Sequence, residues 1–269
     1  MLPLSTKRLK LYISREKLIL VLQQGLFTKE VLNTHVVNIE REKISDNEVI
    51  SHLRTMLAKN NYRYMAVDII LSADYVKYMV MPCNYQLTVE EQNILAKHSF
   101  ETIFGESVDD WSIFFSITGF NSNEFACATE TAFLIELSKV IQGQNLKLLS
   151  VAPSLTAAIN YFRKKLPVKS WFVMIEQENM QLVKFINGSP VMLRTVRMPI
   201  GWENELETML ARESLYLEEN KLPVFFFWPD NPEFVSELFK KNKVNILRMK
   251  TMYGFSASRD SAWAIGLCA

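Results

Sequence analysis

Residues 171–198 read WFVMIEQENMQLVKFINGSPVMLRTVRM, and this stretch decides the fold because it predicts three consecutive antiparallel strands. Runs of apolar, β-branched and aromatic residues are typical of strands when short polar groups bound them. The polar group 177–179 ends the first run, and Asn187-Gly188 ends the second. Asn and Gly both tolerate positive φ, so the second break predicts a type I′ turn between hairpin strands.

The N-terminal segment 8–39 has the same layout. It reads as a strand, the polar turn from Ser14 to Lys17, a second strand, a polar break and a third strand. Two copies of one three-stranded pattern indicate that the chain is an internal duplication.

After the three strands of the first copy, the pattern changes to alternating helices and strands. A helix is predicted from a capping box that begins at Ser45, because apolar residues then recur every three to four positions. Residues 64–71 read as a buried strand in which Asp68 is the only charge. A helix over 132–141, a strand over 146–151 and a further helix follow.

The second copy repeats this order without interruption. We predict a helix over 202–217, a strand over 222–228, a helix over 232–240, a strand over 244–247 and a final helix over 258–267. Each copy therefore has the order βββαβαβα, which predicts a mixed sheet flanked by helices.

The first copy is interrupted after its fourth strand by an insert of about 72–129. Its sequence predicts a strand over 75–81 that Pro82 closes, a helix capped by Thr88 and Glu91, and two more strands from Trp111 onward. This order indicates a small α+β subdomain.

At 269 residues and 49% hydrophobic composition, the chain is long enough to bury two cores. We therefore predict an α/β fold with a first half, 1–168, that contains the insert, and a second half, 169–269.

The charge balance and the cysteines limit the classes of function. With 30 basic and 29 acidic residues, the chain has no bulk charge that would attract nucleic acid or anionic lipid. Cys83, Cys127 and Cys268 lack metal-ligand spacing and suit a reducing compartment. The N-terminus is a poor secretory signal, and no run reaches the 18 to 20 apolar residues of a membrane span. We expect a cytoplasmic protein.

No catalytic motif emerges from the remaining polar residues. His35, His52 and His98 share no motif, and neither HExxH nor GxSxG occurs. The run 225–228 reads as a buried strand rather than as a base-stacking surface.

Two groups of lysines allow two interpretations. Lys164, Lys165 and Lys169 form one group, and Lys240 and Lys241 form the other. They are either ordinary solubilising charges, which we favour, or residues that lie near a membrane surface.

This order of elements resembles the superfamily of actin, sugar kinases and Hsp70 ATPases, in which two such halves face each other across a cleft. The insert after the fourth strand resembles the relocated subdomain of FtsA, of the type IV pilus assembly protein PilM and of the cytoplasmic domain of GspL in type II secretion. Two local stretches, 187–199 and 264–267, are similar to PilM and MshI-type sequences. The resemblance covers essentially the whole chain.

The chain departs from that superfamily at both phosphate turns. In active members the first hairpin begins Asp-x-Gly, in which the aspartate organises Mg²⁺, whereas 13–17 contains neither residue. The second turn, 176–179, also lacks the glycine that lets phosphate approach main-chain amides. We therefore expect no cofactor and no metal. The candidate positions of a degenerate phosphate site are Ser14, Lys17, Glu176 and Asn179, with Glu176 as a remnant metal-binding acid.

The resemblance implies a cytoplasmic scaffold without enzymatic activity, at the inner face of the bacterial inner membrane. Its partner would be the N-terminal cytoplasmic tail of a PilN-like membrane protein, bound beside the insert, where Lys77 is a candidate partner-binding residue. An assembly ATPase is a second candidate partner, and self-association stays open.

Two alternatives keep the fold and change the function. The first is an actin-like ATPase or kinase whose phosphate turns have drifted, with Lys17, Glu176 and Tyr253-Gly254-Phe255 as remnants of its site. The second is a GspL-like adaptor for a secretion ATPase. Calorimetry with Mg-ATP separates the first alternative from the scaffold, because a working site binds with micromolar affinity.

Overall fold

The computed structural model describes residues 7–25, 30–40, 45–59, 62–82, 86–105, 108–115, 123–198, 200–215, 222–231 and 244–249. The strands in chain order are β1 (Lys7–Ile13), β2 (Lys17–Gln24), β3 (Glu30–Asn38), β4 (Ala66–Leu71), β5 (Lys77–Pro82), β6 (Trp111–Phe115), β7 (Asn123–Glu130), β8 (Lys147–Pro153), β9 (Ser170–Glu176), β10 (Asn179–Ile186), β11 (Ser189–Arg197), β12 (Val224–Phe227) and β13 (Asn245–Ile246). The helices are α1 (Asp46–Ala58), α2 (Val89–Phe104), α3 (Thr131–Gly143), α4 (Ser154–Phe162) and α5 (Trp202–Leu215).

Two five-stranded sheets have the same strand order. The first is β3-β2-β1-β4-β8 and the second is β11-β10-β9-β12-β13. In each sheet the first three strands are antiparallel, and the remaining strands are parallel to the central one. The predicted duplication is therefore confirmed. The helices predicted over 232–240 and 258–267 lie outside the described residues.

The insert forms its own antiparallel sheet in the order β5-β7-β6, covered by α2. The predicted capping box is present, because the Thr88 amide donates to Glu91 Oε2 at 2.7 Å and the Glu91 amide donates to Thr88 Oγ1 at 3.2 Å. Strands β5 and β7 pack beside β11, so the insert lies against the edge of the second sheet.

The predicted turn at Asn187-Gly188 has positive φ at both residues, 53° and 79°, as a type I′ turn requires. The Gly188 amide also donates to the Val168 carbonyl at 2.8 Å, which fixes the turn against the loop that precedes β9.

The one charge in β4 is paired inside the first sheet. Lys10 Nζ donates to Asp68 Oδ2 and Ser150 Oγ donates to Asp68 Oδ1, each at 2.7 Å. Burial by itself would raise the pKa of Asp68, but these two hydrogen bonds and the lysine charge lower it below its ordinary value. The pair therefore links β1, β4 and β8 across the buried sheet.

One apolar core joins the two halves. It contains residues of the first sheet together with Phe172, Phe185 and Phe227 of the second half. Phe162, at the end of α4, packs edge-on against Phe227 with ring centroids 4.9 Å apart. Phe125 of the insert meets Phe185 at 6.3 Å. Buried apolar side chains thus join the two halves.

Two strands of the first half begin two residues later than the sequence-based predictions. The strand predicted from Tyr64 begins at Ala66 because Tyr64 has φ 65° and cannot join a ladder. The strand predicted from Tyr75 begins at Lys77, and the Tyr75 ring instead stacks on Phe133 at 4.2 Å. The start of α1 agrees with its prediction, because the Glu48 amide donates to Ser45 Oγ at 3.3 Å, which is one of the two hydrogen bonds of a capping box.

Candidate functional site

The two predicted phosphate turns meet where the central strands of both sheets end. We call this region the seam, and define it by the turns 14–17 and 176–179, the loop 72–74 and the first residue of α4, Ser154. Tyr12, the penultimate residue of β1, contacts Glu176, the last residue of β9. Tertiary structure thus brings together residues more than 160 positions apart.

Glu176 is the centre of the seam and is fully buried. Its carboxylate accepts three hydrogen bonds, from Tyr12 Oη at 2.9 Å, from the Ala73 amide at 3.0 Å and from Ser154 Oγ at 2.7 Å. All three donors belong to segments before residue 168, whereas Glu176 follows it. The side chain therefore binds the second half to the first.

Burial raises the pKa of Glu176 to about 8, although the hydrogen bonds from Ser154, Ala73 and Tyr12 lower it. A carboxyl group with this pKa is mostly protonated at neutral pH. In that form it donates one hydrogen bond, which a hydroxyl of Tyr12 or Ser154 can accept by rotating. Burial, and then the charge of Glu176, also raises the pKa of Tyr12 well above its ordinary value.

Asp74 joins the two turns to each other. Its carboxylate accepts from the Arg15 amide at 3.3 Å, from Ser72 Oγ at 3.1 Å and from Asn179 Nδ2 at 3.3 Å. The sequence analysis missed this residue. Its position just after a buried parallel strand was the available signal, because such strand ends are where polar sites collect.

The first turn is held by its own residues and by a partner far along the chain. Ser14 Oγ accepts from the Lys17 amide at 2.9 Å, and Lys17 Nζ lies 3.4 Å from Asp230 Oδ1. Asp230 was also missed, and nothing in its local sequence distinguishes it. All four predicted positions, Ser14, Lys17, Glu176 and Asn179, lie at the seam, and each is bonded to protein groups.

The phosphates of a magnesium nucleotide do not fit this donor set. A phosphate site needs unoccupied main-chain amides and an excess of positive charge, but the Ala73 amide already bonds to Glu176. Among the described residues of the seam, the cations Arg15 and Lys17 lie beside the carboxyl groups of Asp74 and Asp230, so positive charge is not in excess. Within the described ranges, no group of three or more His, Cys, Asp or Glu side chains is placed to hold a metal ion.

A groove of about 810 Å³ lies on the side of the insert that faces α4 and the β10–β11 turn. Apolar side chains from four elements line it, among them Phe114 of β6, Phe125 of β7, Ile159 of α4 and Phe185 of β10. Arg163 and Glu124 are its charged lining residues. An extended apolar segment with few charges suits such a surface.

Lys77 lies apart from this groove. It lines a smaller pocket of about 200 Å³ between the insert and the first turn, together with Arg15, Asp46 and Trp111. Its Nζ is 5.8 Å from the centroid of the Phe104 ring. The residue is exposed, and its role in partner binding stays a prediction.

No protein-family model matches the chain, and no curated protein matches it in sequence. Among solved structures, it is similar to a PilM-PilN type IV pilus biogenesis complex with a TM-score of 0.72, 12% identity and 97% coverage of both chains. It is also similar to a Bacteroides thetaiotaomicron protein of unknown function with an actin-like ATPase fold, at a TM-score of 0.63, 14% identity and 90% and 91% coverage.

A third similar structure is the cytoplasmic domain of EpsL, an inner membrane component of the type II secretion system of Vibrio cholerae. The TM-score is 0.54 at 12% identity, with 84% of this chain and 82% of that chain covered. The predicted actin-like fold, and its likeness to PilM and to the cytoplasmic secretion domain, are thereby confirmed. In the part of the chain that is described, no helix is both long and apolar enough to cross a membrane.

Proposed function

We propose that this chain is a cytoplasmic scaffold of the PilM type that works without nucleotide and binds the N-terminal tail of a PilN-like inner-membrane protein. The observation that carries the proposal is the contrast between a seam closed by the protein's own side chains and an open apolar groove beside the insert. The fold that the chain shares with PilM and with the cytoplasmic domain of EpsL supports this proposal.

The seam supports nucleotide independence. In a nucleotide-clamped protein, phosphate contacts hold the two halves together. Here Glu176 makes three hydrogen bonds to the first half, and the packing of Phe162 on Phe227 adds apolar contact. These contacts join the two halves through the protein's own side chains, which supports the proposal.

The groove supports recognition of an extended peptide. Strand β6 forms an edge of the insert sheet and pairs with β7 on one side within the described residues. Edge strands present unpaired amides and carbonyls to which an incoming strand can add. Phe114 of β6 is 52% exposed and also lines the groove, so backbone pairing and apolar contact are available at one place.

Titrating a labelled PilN-like tail peptide into the protein tests both parts of the proposal. We expect the same Kd, within about twofold, with and without Mg-ATP, since the protein's own side chains already join the halves at the seam. An affinity that rises tenfold with Mg-ATP, about 1.4 kcal/mol of coupling, contradicts nucleotide independence. The absence of binding to the tail of any co-encoded membrane component contradicts the scaffold proposal itself.

A groove-filling variant locates the binding site. Asn160→Trp places a large side chain on the α4 side of the groove, and we expect it to weaken tail binding at least tenfold. Asn93→Trp is the matched control, because Asn93 is an exposed helical asparagine on α2 outside the groove. Equal affinities of the two variants would place the tail elsewhere. Lys77→Glu, compared with Lys17→Glu, then tests the smaller pocket.

The competing ATPase function is tested by calorimetry with Mg-ATP on the purified chain. Because positive charge is not in excess at the seam and the Ala73 amide is already bonded to Glu176, we expect millimolar or weaker binding. Micromolar binding that is lost in Glu176→Gln would favour the degenerate ATPase or kinase instead. An assembly ATPase as a second partner is tested by pull-down with the same chain.

A further inference from the structure

The loop 163–169 between α4 and β9 concentrates positive charge. Its sequence, RKKLPVK, contains four cations and no acidic residue. We call it the basic loop. Removing its four cations from the 30 basic residues of the chain leaves 26 against 29 acidic ones. The rest of the protein is therefore negative on balance, and the charge of this loop is a local feature rather than part of a general basic surface.

The fold holds the basic loop in a fixed shape. The Lys165 amide donates to the Phe162 carbonyl at 2.7 Å, and Ser170 Oγ donates to the Pro167 carbonyl at 3.0 Å. The Val168 carbonyl accepts from the Gly188 amide at 2.8 Å. Because these contacts order the backbone before any binding, presenting the side chains costs little further conformational entropy.

The cations of the basic loop are exposed, although Leu166 packs against the core and Lys165 Nζ lies 5.6 Å from the centroid of the Phe162 ring. Arg163, Lys164 and Lys165 are exposed, and in the described part of the chain none of the three forms an ion pair. Val168 stands among the cations with 64% of its surface exposed. A cluster of cations around an exposed apolar side chain is the pattern of a segment that lies at a membrane interface.

We propose that the basic loop docks directly on an anionic membrane surface. The inference goes beyond the proposed function and does not depend on it, because it concerns lipid rather than a protein tail. The two are compatible in space, since Arg163 and Val168 of the loop also line the groove. A tail that leaves the bilayer would enter the groove on the side of the basic loop.

Anionic lipid suits the basic loop better than nucleic acid does. A nucleic acid follows its phosphates over an extended basic surface, and the remainder of this chain is net negative. The exposed Pro167 and Val168 offer apolar contact that a headgroup region accepts and a phosphate backbone does not.

The expected affinity is that of a secondary anchor. Each lysine or arginine near an anionic bilayer increases partitioning about fivefold, the equivalent of about 1 kcal/mol. Four cations therefore give weak binding by themselves, measurable at millimolar lipid, and they add to any second attachment through effective concentration.

Vesicle sedimentation of the full chain, with no partner present, tests the proposal. We compare vesicles of phosphatidylcholine alone with vesicles that contain about one third phosphatidylglycerol. We expect binding to the anionic vesicles only, and loss of that binding at about 0.5 M salt, where charges are strongly screened. Equal binding to both vesicles, or none to either, overturns the proposal. So does a duplex DNA oligonucleotide that binds the chain more tightly than the anionic vesicles do.

Charge-matched variants assign the binding to the basic loop. Replacing Lys164, Lys165 and Lys169 by glutamine should reduce partitioning about a hundredfold. The control replaces Arg54, Lys97 and Arg212, which are dispersed over α1, α2 and α5, by glutamine and should change it less than about twofold. Thermal melting checks that both variants fold. Equal losses of vesicle binding in the two variants would attribute the binding to net charge and overturn the proposal. Binding of the tail peptide to the loop variant tests the proposed function separately.

Discussion

The seam and the groove are both built from the two halves and the insert or its flanking loop, but they are filled in opposite ways. At the seam, Glu176, Asp74 and Asp230 are each hydrogen-bonded to protein groups from distant parts of the chain. In the groove, apolar side chains such as Phe114 and Phe125 line about 810 Å³ of open space. The comparison shows that the protein's own polar side chains close the seam, whereas the groove stays open.

The largest expected effect on stability comes from removing the Glu176 side chain from the seam. Glu176→Ala leaves the buried Tyr12 hydroxyl, Ser154 hydroxyl and Ala73 amide without their partner, and each orphaned group costs about 1–3 kcal/mol. We expect a loss of at least about 3 kcal/mol in the free energy of unfolding, measured by urea denaturation. Glu176→Gln is the isosteric control and should cost less than half as much. A small effect of the alanine change would mean that the seam does not hold the halves together.

The pH dependence of stability should reveal the same group. The folded-state pKa of Glu176 is about 8, above the ordinary value of 4.5, so the folded protein keeps a proton that the unfolded chain releases. Stability from this group therefore falls as pH rises between about 4.5 and 8, by at most about 1.4 kcal/mol per pH unit, and is constant above that range.

The measurement compares the wild-type protein with Glu176→Gln at each pH. The difference between their free energies of unfolding contains the pH dependence due to Glu176, and the contributions of other titrating groups cancel. Asp68, whose pKa is lowered, contributes in the opposite direction and cancels in the subtraction. A difference that does not change between pH 5 and 8 would show that Glu176 is ionised in the folded protein.

A smaller effect is expected at the turn beside the groove. Gly188→Val places a β-branched residue at φ 79°, which is strained whatever the space around it. We expect a loss of at least about 1 kcal/mol, read as a lower melting temperature. Gly143→Ala at the end of α3 is the control, since no atom lies within 4 Å of the added methyl group, and it should be neutral or slightly stabilising. Equal melting temperatures for the valine variant and the wild-type protein would contradict the type I′ turn.

The smallest effect is expected from the half-exposed edge of the seam. The side chains of Lys17 and Asp230 are 21% and 25% exposed and lie 3.4 Å apart, so solvent screens their attraction. Lys17→Ala should cost less than about 1 kcal/mol in chemical denaturation and leave tail affinity unchanged. If Lys17→Ala lowers the free energy of unfolding as much as Glu176→Ala does, the first turn stabilises the protein as strongly as the second, which contradicts this prediction.

The local patterns of the sequence were sufficient for most of the fold. The alternation of apolar runs and polar breaks located both three-stranded stretches, Asn187-Gly188 specified its turn, and Thr88 with Glu91 specified the start of α2. These features depend on φ preferences and on hydrogen bonds between residues a few positions apart. Where the prediction of a boundary failed, as at Tyr75, the Tyr75 amide donates to the Ser72 carbonyl at 3.1 Å in a turn, and its ring stacks on Phe133 of a distant helix.

The sequence by itself also determined that both phosphate turns lack glycine and that Ser14, Lys17, Glu176 and Asn179 are the positions to inspect. Only the tertiary structure decided what those residues do. The three donors around Glu176, and the contacts of Asp74 and Asp230 with the turns, exist only because the two sheets pack together. These contacts join residues that are more than 100 positions apart in the sequence. Burial then sets the protonation of Glu176, because the pKa of a carboxyl group follows from its solvation and its neighbours rather than from its place in the sequence.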